Sequence, residues 1–343
     1  MYSKIVAHGF GPPEVLVVEQ AQLPEPAAGE ARIRIEAAGV GYTDTILRRG
    51  RYIAYRGGLP LTPGYDVVGT VDAVGPGVQG LDVGQRVADM TVSGGYSQYL
   101  IRPAGMLIPV PPDIAPAIAV ELPLMGMTAW QMLTRCVSLQ PGAPILVVGA
   151  SGSVGRALVA LARHLGLKVI GTSSEANLSQ VAALGATALD YRRPDLLAAI
   201  RDASGADGVA AAFDAIGGRS WKTSFQSLGR NGTLVAYGFQ DFLDGNKATH
   251  EAMVGLFRLH KVYNRFGQLD GSGRRSIFYD IDIRRQAEPE DYRADMETLL
   301  DLVAGGAYRP PQPEIIPLTA AAEAHRRIAR RGLDHRLVLD PWL

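Results

Sequence analysis

The chain holds one cysteine, Cys136, among 343 residues. That excludes an intramolecular disulfide and any metal site needing two thiolates, and a lone cysteine is more often a packing residue than a nucleophile. There is no charge excess: 34 Lys and Arg stand against 34 Asp and Glu, so no overall field holds the chain on nucleic acid or an anionic membrane. Apolar stretches are broken by charges such as Arg156 and Arg163, and none nears the ~20 residues of a membrane-spanning helix. Met1-Tyr2-Ser3-Lys4 runs straight into a strand-like Ile5-Val6-Ala7 without an apolar leader core, so a cytosolic protein is expected. The six histidines show no metal-ligand spacing.

What is present points to two domains, since single cores stop growing near ~250–300 residues. From Ile5 to about Leu107 the text is strand-like and rich in turn signals. Arg32 to Ala37 alternates with period two, and Val67 to Val74 is β-branched between Gly64 and Gly75. Prolines between Pro111 and Pro123 precede helical text from Gly126 to Val137. Strands and helices then alternate: Ile145 to Val148, a helix with Val154, Leu158, Leu161 and Leu165 on one face, Lys168 to Thr172, and a helix from Asn177 stopped by Gly185. Further strands are read at Ala188 to Tyr191, Gly208 to Phe213 and Thr233 to Tyr237. This predicts an α/β domain with a doubly wound parallel sheet, assigned to residues 121–265. Residues 1–120 and 266–343 are assigned to a mainly β domain, with helices at 289–304 and 319–330 and a last strand Arg336 to Leu339. The stretches 51–60 and 240–275 read as loops.

Gly149-Ala150-Ser151-Gly152-Ser153-Val154-Gly155 falls between the first strand and first helix of the alternating region. Small residues there let a backbone approach a dinucleotide pyrophosphate, and free N–H groups with the helix dipole favour its charge. An acid about 20 residues on would hold the ribose 2′-hydroxyl of NAD; Gly171-Thr172-Ser173-Ser174 stands there instead. Hydroxyls can donate to a 2′-phosphate, and Tyr191, Arg192 and Arg193 follow the next strand. NADPH is the expected cofactor, although Glu175 runs against it and the two arginines also fit an ordinary solvated turn. Ile216 with Gly217 and Gly238 with Phe239 end later strands, at the carboxyl edge where such sheets bind ligands.

Several further motifs occur in order: Gly39-Val40-Gly41-Tyr42-Thr43-Asp44, Gly50-Arg51-Tyr52, Pro63-Gly64-Tyr65-Asp66-Val67-Val68-Gly69, Gly84-Gln85-Arg86-Val87, Gly95-Tyr96-Ser97-Gln98-Tyr99, Thr128-Ala129, Leu184-Gly185-Ala186 and Phe213-Asp214-Ala215-Ile216-Gly217-Gly218. With these the chain resembles the medium-chain dehydrogenase/reductase superfamily, in its quinone oxidoreductase-like branch, over nearly its whole length. The resemblance implies a Rossmann domain plus a mainly β GroES-like catalytic domain, with the cofactor between them. Asp214 to Gly245 also looks like the vesicle amine transport branch. Zinc-dependent members have cysteine at Gly41 and histidine at Tyr65, and a four-cysteine lobe after Arg86-Val87; none of these side chains stands here, so no metal is expected.

By the same resemblance Tyr52 is the first candidate to donate to a developing enolate or quinol oxygen, or else an aromatic wall of the cleft. Tyr42 adjoins it or packs, and Asp44 orients backbone or ribose groups or is structural. Thr128 meets the nicotinamide end in relatives. The asparagine that quinone oxidoreductases often carry at Gly41 is missing, as is the lysine often found near Asn177 against the 2′-phosphate. Expected is reduction of a quinone or of the C=C bond of an α,β-unsaturated carbonyl compound, a small-molecule substrate, by a homodimer joined at sheet edges. The loss at Gly41 supports a rival reading, a weakly catalytic NADPH-binding sensor or RNA or vesicle partner, against which the zero net charge speaks for nucleic acid.

Overall fold

The computed structural model describes residues 1–52, 55, 57–240, 249–330, 333 and 335–343. Parts of both expected loops, residues 53, 54 and 56 and residues 241–248, lie outside the described residues, as does the end of the Asp214 to Gly245 stretch. The chain divides into two compact units, Met1–Met127 with Glu290–Leu343, and Thr128–Pro289.

The first unit is built on strands β1 (Tyr2–Ala7), β2 (Leu16–Ala21), β3 (Glu30–Val40), β4 (Asp66–Val74), β5 (Arg86–Met90), β6 (Tyr99–Pro103) and β7 (Ile108–Pro109). Among the described residues β3, β4, β5 and β7 run side by side, with β6 also paired to β3. The alternation read at Arg32 to Ala37 becomes the middle of β3, whose register against β4 shifts at Arg32/Ile33 and Ile35/Ala37. Such bulges bend a strand, and β3 serves two cores: Ala31 and Ile33 pack with Val71, Val87 and Leu107, Ile35, Ala38 and Val40 with Val67, Leu337 and Leu339. Each fully buried aliphatic side chain contributes ~1.5–3 kcal/mol. A short helix that pattern reading missed, α1 (Tyr42–Arg48), starts at an extended Gly41.

The second unit carries β8 (Pro144–Val148), β9 (Lys168–Ser173), β10 (Thr187–Asp190), β11 (Val209–Asp214), β12 (Leu228–Ala236) and β13 (Arg275–Phe278). Among the described residues they form one parallel sheet in the order β10-β9-β8-β11-β12-β13. This is the doubly wound topology, and the order reverses between β8 and β11, the place where such sheets bind ligands. Its core gathers Leu146, Ile170, Val209, Trp221, Phe225 and Leu234.

The sheet runs past residue 265, where sequence reading ended it, because β13 pairs with β12. The stretch read as a loop to 275 contains a helix, Thr249–Leu269. Asn264 of that helix takes both main-chain groups of Ser276: its Oδ1 accepts the N–H at 2.6 Å and its Nδ2 donates to the carbonyl at 3.1 Å. This edge strand of the sheet is therefore closed at that residue by its own helix. The first unit is completed by β14 (Glu314–Pro317) and β15 (Leu337–Asp340), the latter antiparallel to β3. No described helix is long and apolar enough to cross a membrane.

Candidate functional site

In the second unit the glycine loop leaves β8 and enters the helix Ser153–His164. Gly149 has φ +73°, a left-handed conformation that suits glycine. The helix starts at an extended Gly152 with no side-chain cap, so its first N–H groups, which lack intrahelical acceptors, remain available to an anion, and the dipole adds to the attraction. A Cβ at Gly155 would lie 2.2 Å from the Gly149 carbonyl oxygen; only glycine lets the helix come this close to the loop. The Ala150 N–H donates to Thr172 O at 2.9 Å, tying the loop to β9. Asn177 Nδ2 donates to Ser151 Oγ at 3.3 Å, bringing two expected site residues together, while Ser153 and Val154 form the half-buried first turn. This cradle fits the pyrophosphate of a dinucleotide.

At the end of β9 Ser173 is buried, and its hydroxyl donates to the Ser174 carbonyl at 3.1 Å. The half-buried Ser174 and the exposed Tyr191 remain, with the Arg192 guanidinium 5.2 Å over the Tyr191 ring. Arg193 is instead gripped by both oxygens of Asp195, at 2.7 and 2.8 Å.

At the end of β11 a buried Asp214, which sequence reading quoted without a role, shapes the turn. Its Oδ1 accepts from Ile216 N–H at 2.8 Å and Gly217 N–H at 3.5 Å, and its Oδ2 from the hydroxyls of Ser220 and Ser224 at 2.6 and 2.7 Å. Burial pushes this carboxyl up against the pull of those hydrogen bonds. The signal was an aspartate followed by two glycines and then serines six and ten positions on. A Cβ at Gly238 would meet Ala215 O at 2.7 Å, so this glycine serves the close approach of two strand ends. Phe239 is half-buried and packs against the core, 6.1 Å from the Phe278 ring. Thr128 is buried in the helix Met127–Thr134.

The first unit holds the other candidates. Asp44 is fully buried; its Oδ2 accepts from Gly41 N–H at 2.9 Å and its Oδ1 from Gly64 N–H at 3.0 Å. Burial, with the nearby Asp66 charge, pushes it up to about 7. Of the roles considered for it, the geometry supports orienting backbone. The neighbouring Asp66 is bound at 2.7 and 2.8 Å by Arg336, which also donates to Val120 O at 3.0 Å.

Between Gly64 and Asp66 stands Tyr65, 1% exposed. Its hydroxyl lies 2.6 Å from that of Tyr52, and the rings meet edge to face at 5.7 Å. Tyr52 is half-buried. Tyr42 instead turns to Arg49, whose Nη2 donates to its hydroxyl at 3.5 Å. A Cβ at Gly41 would stand 3.3 Å from Met125 Cε and 3.5 Å from Asp44 Oδ2, so the Met125 thioether closes the space where relatives carry a polar side chain. Among the described residues no three His, Cys, Asp or Glu side chains are grouped to hold a metal.

Residues 27–112 match the alcohol dehydrogenase GroES-like domain family and residues 153–275 the zinc-binding dehydrogenase family. The chain is 30% identical to a 2-haloacrylate reductase of Burkholderia sp. over 99% of both proteins. It is similar to a quinone oxidoreductase of Pseudomonas syringae pv. Tomato DC3000, with a TM-score of 0.87, 26% identity and coverage of 99% of this chain and 100% of that one. The Escherichia coli quinone oxidoreductase complexed with NADPH gives a TM-score of 0.85 at 25% identity, over 99% and 100%. Together with the doubly wound sheet and its glycine loop, these likenesses place the chain: it belongs to the medium-chain dehydrogenase/reductase superfamily of oxidoreductases, in the quinone oxidoreductase-like branch.

Proposed function

We propose that the protein is an NADPH-dependent oxidoreductase that reduces a quinone or the C=C bond of an α,β-unsaturated carbonyl compound without zinc. The observation that carries the reading is the loop Gly149 to Gly155, where glycine is sterically required and the following helix has no side-chain cap. Gly149, Ser151, Gly152, Ser153, Val154 and Gly155 hold the pyrophosphate, with Asn177 setting Ser151. Ser174, Tyr191 and Arg192 meet the 2′-phosphate; hydroxyls end β9, with the exposed Glu175 just beyond them. Thr128, Ile216, Gly217 and Gly238 complete the cofactor side. The bound cofactor supplies the hydride.

On the substrate side charge develops on the carbonyl or quinone oxygen, and a hydrogen-bond donor must meet it. The Tyr52 phenol is that donor: it is half-buried, and its hydroxyl is already oriented by Tyr65. Glycine at 41 and tyrosine at 65 supply neither thiolate nor imidazole, which supports zinc-free chemistry. A relative named as a 2-haloacrylate reductase and neighbours named as quinone oxidoreductases support the two substrate classes. The protein acts as a cytosolic homodimer on small molecules, without a nucleic-acid partner.

The test is NADPH consumption by purified protein across a panel of quinones, 2-alkenals and 2-haloacrylates. Turnover with at least one class is expected; tight NADPH binding with no turnover across the panel overturns the reading.

A further inference from the structure

We propose that the outward face of the helix Thr249–Leu269 is a docking surface for an anionic lipid bilayer, on which it rests reversibly at headgroup level without crossing. The inference is independent of the reductase reading and adds a partner to it.

The inward face of this helix is fixed. Leu259 and Tyr263, one turn apart, pack on the core of the second unit, and the Tyr263 ring stacks on Phe225 at 4.7 Å. His260 and Asn264, again one turn apart, reach the edge strand: His260 Nδ1 lies 2.6 Å from the Ser276 hydroxyl, and Asn264 holds both main-chain groups of Ser276. Residues at this spacing share one face. The helix is therefore held against rolling, and its sequence sets what it turns to solvent.

Two rows stand on the solvent side. Arg258, Lys261 and Arg265 follow one another at helical spacing, and all three are exposed. Val262, Phe266 and Leu269 run beside them, with Phe266 58% and Leu269 73% exposed; Phe257 is exposed on the far side of the cations. At 3.6 residues per turn each row covers a narrow strip of the helix surface. Among the described residues none of the three cations has an ion pair, and Val254 to Leu269 contains no Asp or Glu. The adjoining Asp270 is already bound by Arg274.

The charges decide the occupant. A second copy related by a two-fold axis would present the same face, setting cations against cations with no acid between them. Protein interfaces place apolar residues at the centre and charges at the rim. Here the order is reversed, with the cations between Phe257 and the row Val262, Phe266 and Leu269. A bilayer with anionic headgroups accepts this order: the cations lie among phosphates on their flexible stems, while the apolar side chains enter the acyl boundary. Because the chain carries no net charge, this local patch supplies the attraction, not an overall field.

The test is co-sedimentation of the purified full-length protein with vesicles of phosphatidylcholine alone, and of phosphatidylcholine and phosphatidylglycerol in equal parts. Binding is expected only to the second, and it should weaken as salt is raised. Arg258→Gln, Lys261→Gln and Arg265→Gln combined should lower the affinity about fivefold for each cation removed. Phe266→Ser with Leu269→Ser should lower it as well. All five side chains are exposed, so Tm, NADPH affinity and turnover should keep their unsubstituted values, which separates this test from that of the reductase reading. Sedimentation with neither vesicle, or unchanged binding in both variants, overturns the proposal. No vesicle binding together with a monomer mass for Phe266→Ser with Leu269→Ser assigns the face to a second copy and also overturns it. So does retention on polyglutamate but not on anionic vesicles, which assigns the face to an acidic polypeptide.

Discussion

Buried titratable side chains mark the residue scale. His325 lies in the core of the first unit, 3.2 Å from the Tyr96 hydroxyl, and burial with the Arg48 charge lowers it from 6.5 to about 3. Its folded pKa is depressed, so the unfolded chain binds the proton more readily. The stability His325 supports is complete above its unfolded pKa of 6.5 and is lost as pH falls toward about 3. Asp44 works the other way: raised from 3.8 to about 7, it favours the fold below the lower value and loses that contribution as pH rises through the upper one. His325→Gln should therefore flatten the acid side of a plot of Tm against pH relative to the unsubstituted protein. An acid limb of unchanged slope would exclude His325 as its cause. Residue roles were only partly legible in the sequence. The motif around Asp44 was visible, but not that both its oxygens would be engaged by main-chain N–H groups of Gly41 and Gly64. Ser173 was in the expected place, yet a hydroxyl's direction depends on a local carbonyl no pattern reveals.

Elements with short apolar runs and glycine punctuation were the readable ones. β8, the loop and the helix Ser153–His164 carry their own signals, since steric need for glycine is local. Gly155→Ala tests this directly: its methyl would have to push the Gly149 carbonyl away from 2.2 Å, at ~1–3 kcal/mol for such overpacking. A lower Tm with NADPH affinity reduced at least tenfold is expected; wild-type affinity would show that the loop does not hold the cofactor. The helix Thr249–Leu269 was missed because apolar residues lie on more than one face: Leu259 and Tyr263 pack on the core while Phe257, Val262, Phe266 and Leu269 are exposed, so no single apolar stripe stands against a polar face. α1 was missed for lack of a capping side chain before it, its start being held by Asp44 from within.

At the scale of the whole molecule the parallel sheet was legible because each of its strands through β12 is followed or preceded by an amphipathic stretch; β13, which follows Arg274 and itself opens on Arg275, was not. That strand bears on assembly. With Ser276 engaged by Asn264, a homodimer joined at this edge would form without continuous pairing through this residue. Light scattering of the purified protein should give twice the chain mass of 36.6 kDa, and a monomer mass at working concentration would contradict the dimer. The central claim, hydride transfer from NADPH without a metal, is tested most directly on chelator-treated protein whose metal content has been measured. Given NADPH deuterated at the transferring position and a 2-alkenal or 2-haloacrylate, it should place deuterium on the β-carbon at an undiminished rate. Loss of turnover restored by added zinc, or no deuterium in the product, would contradict the account.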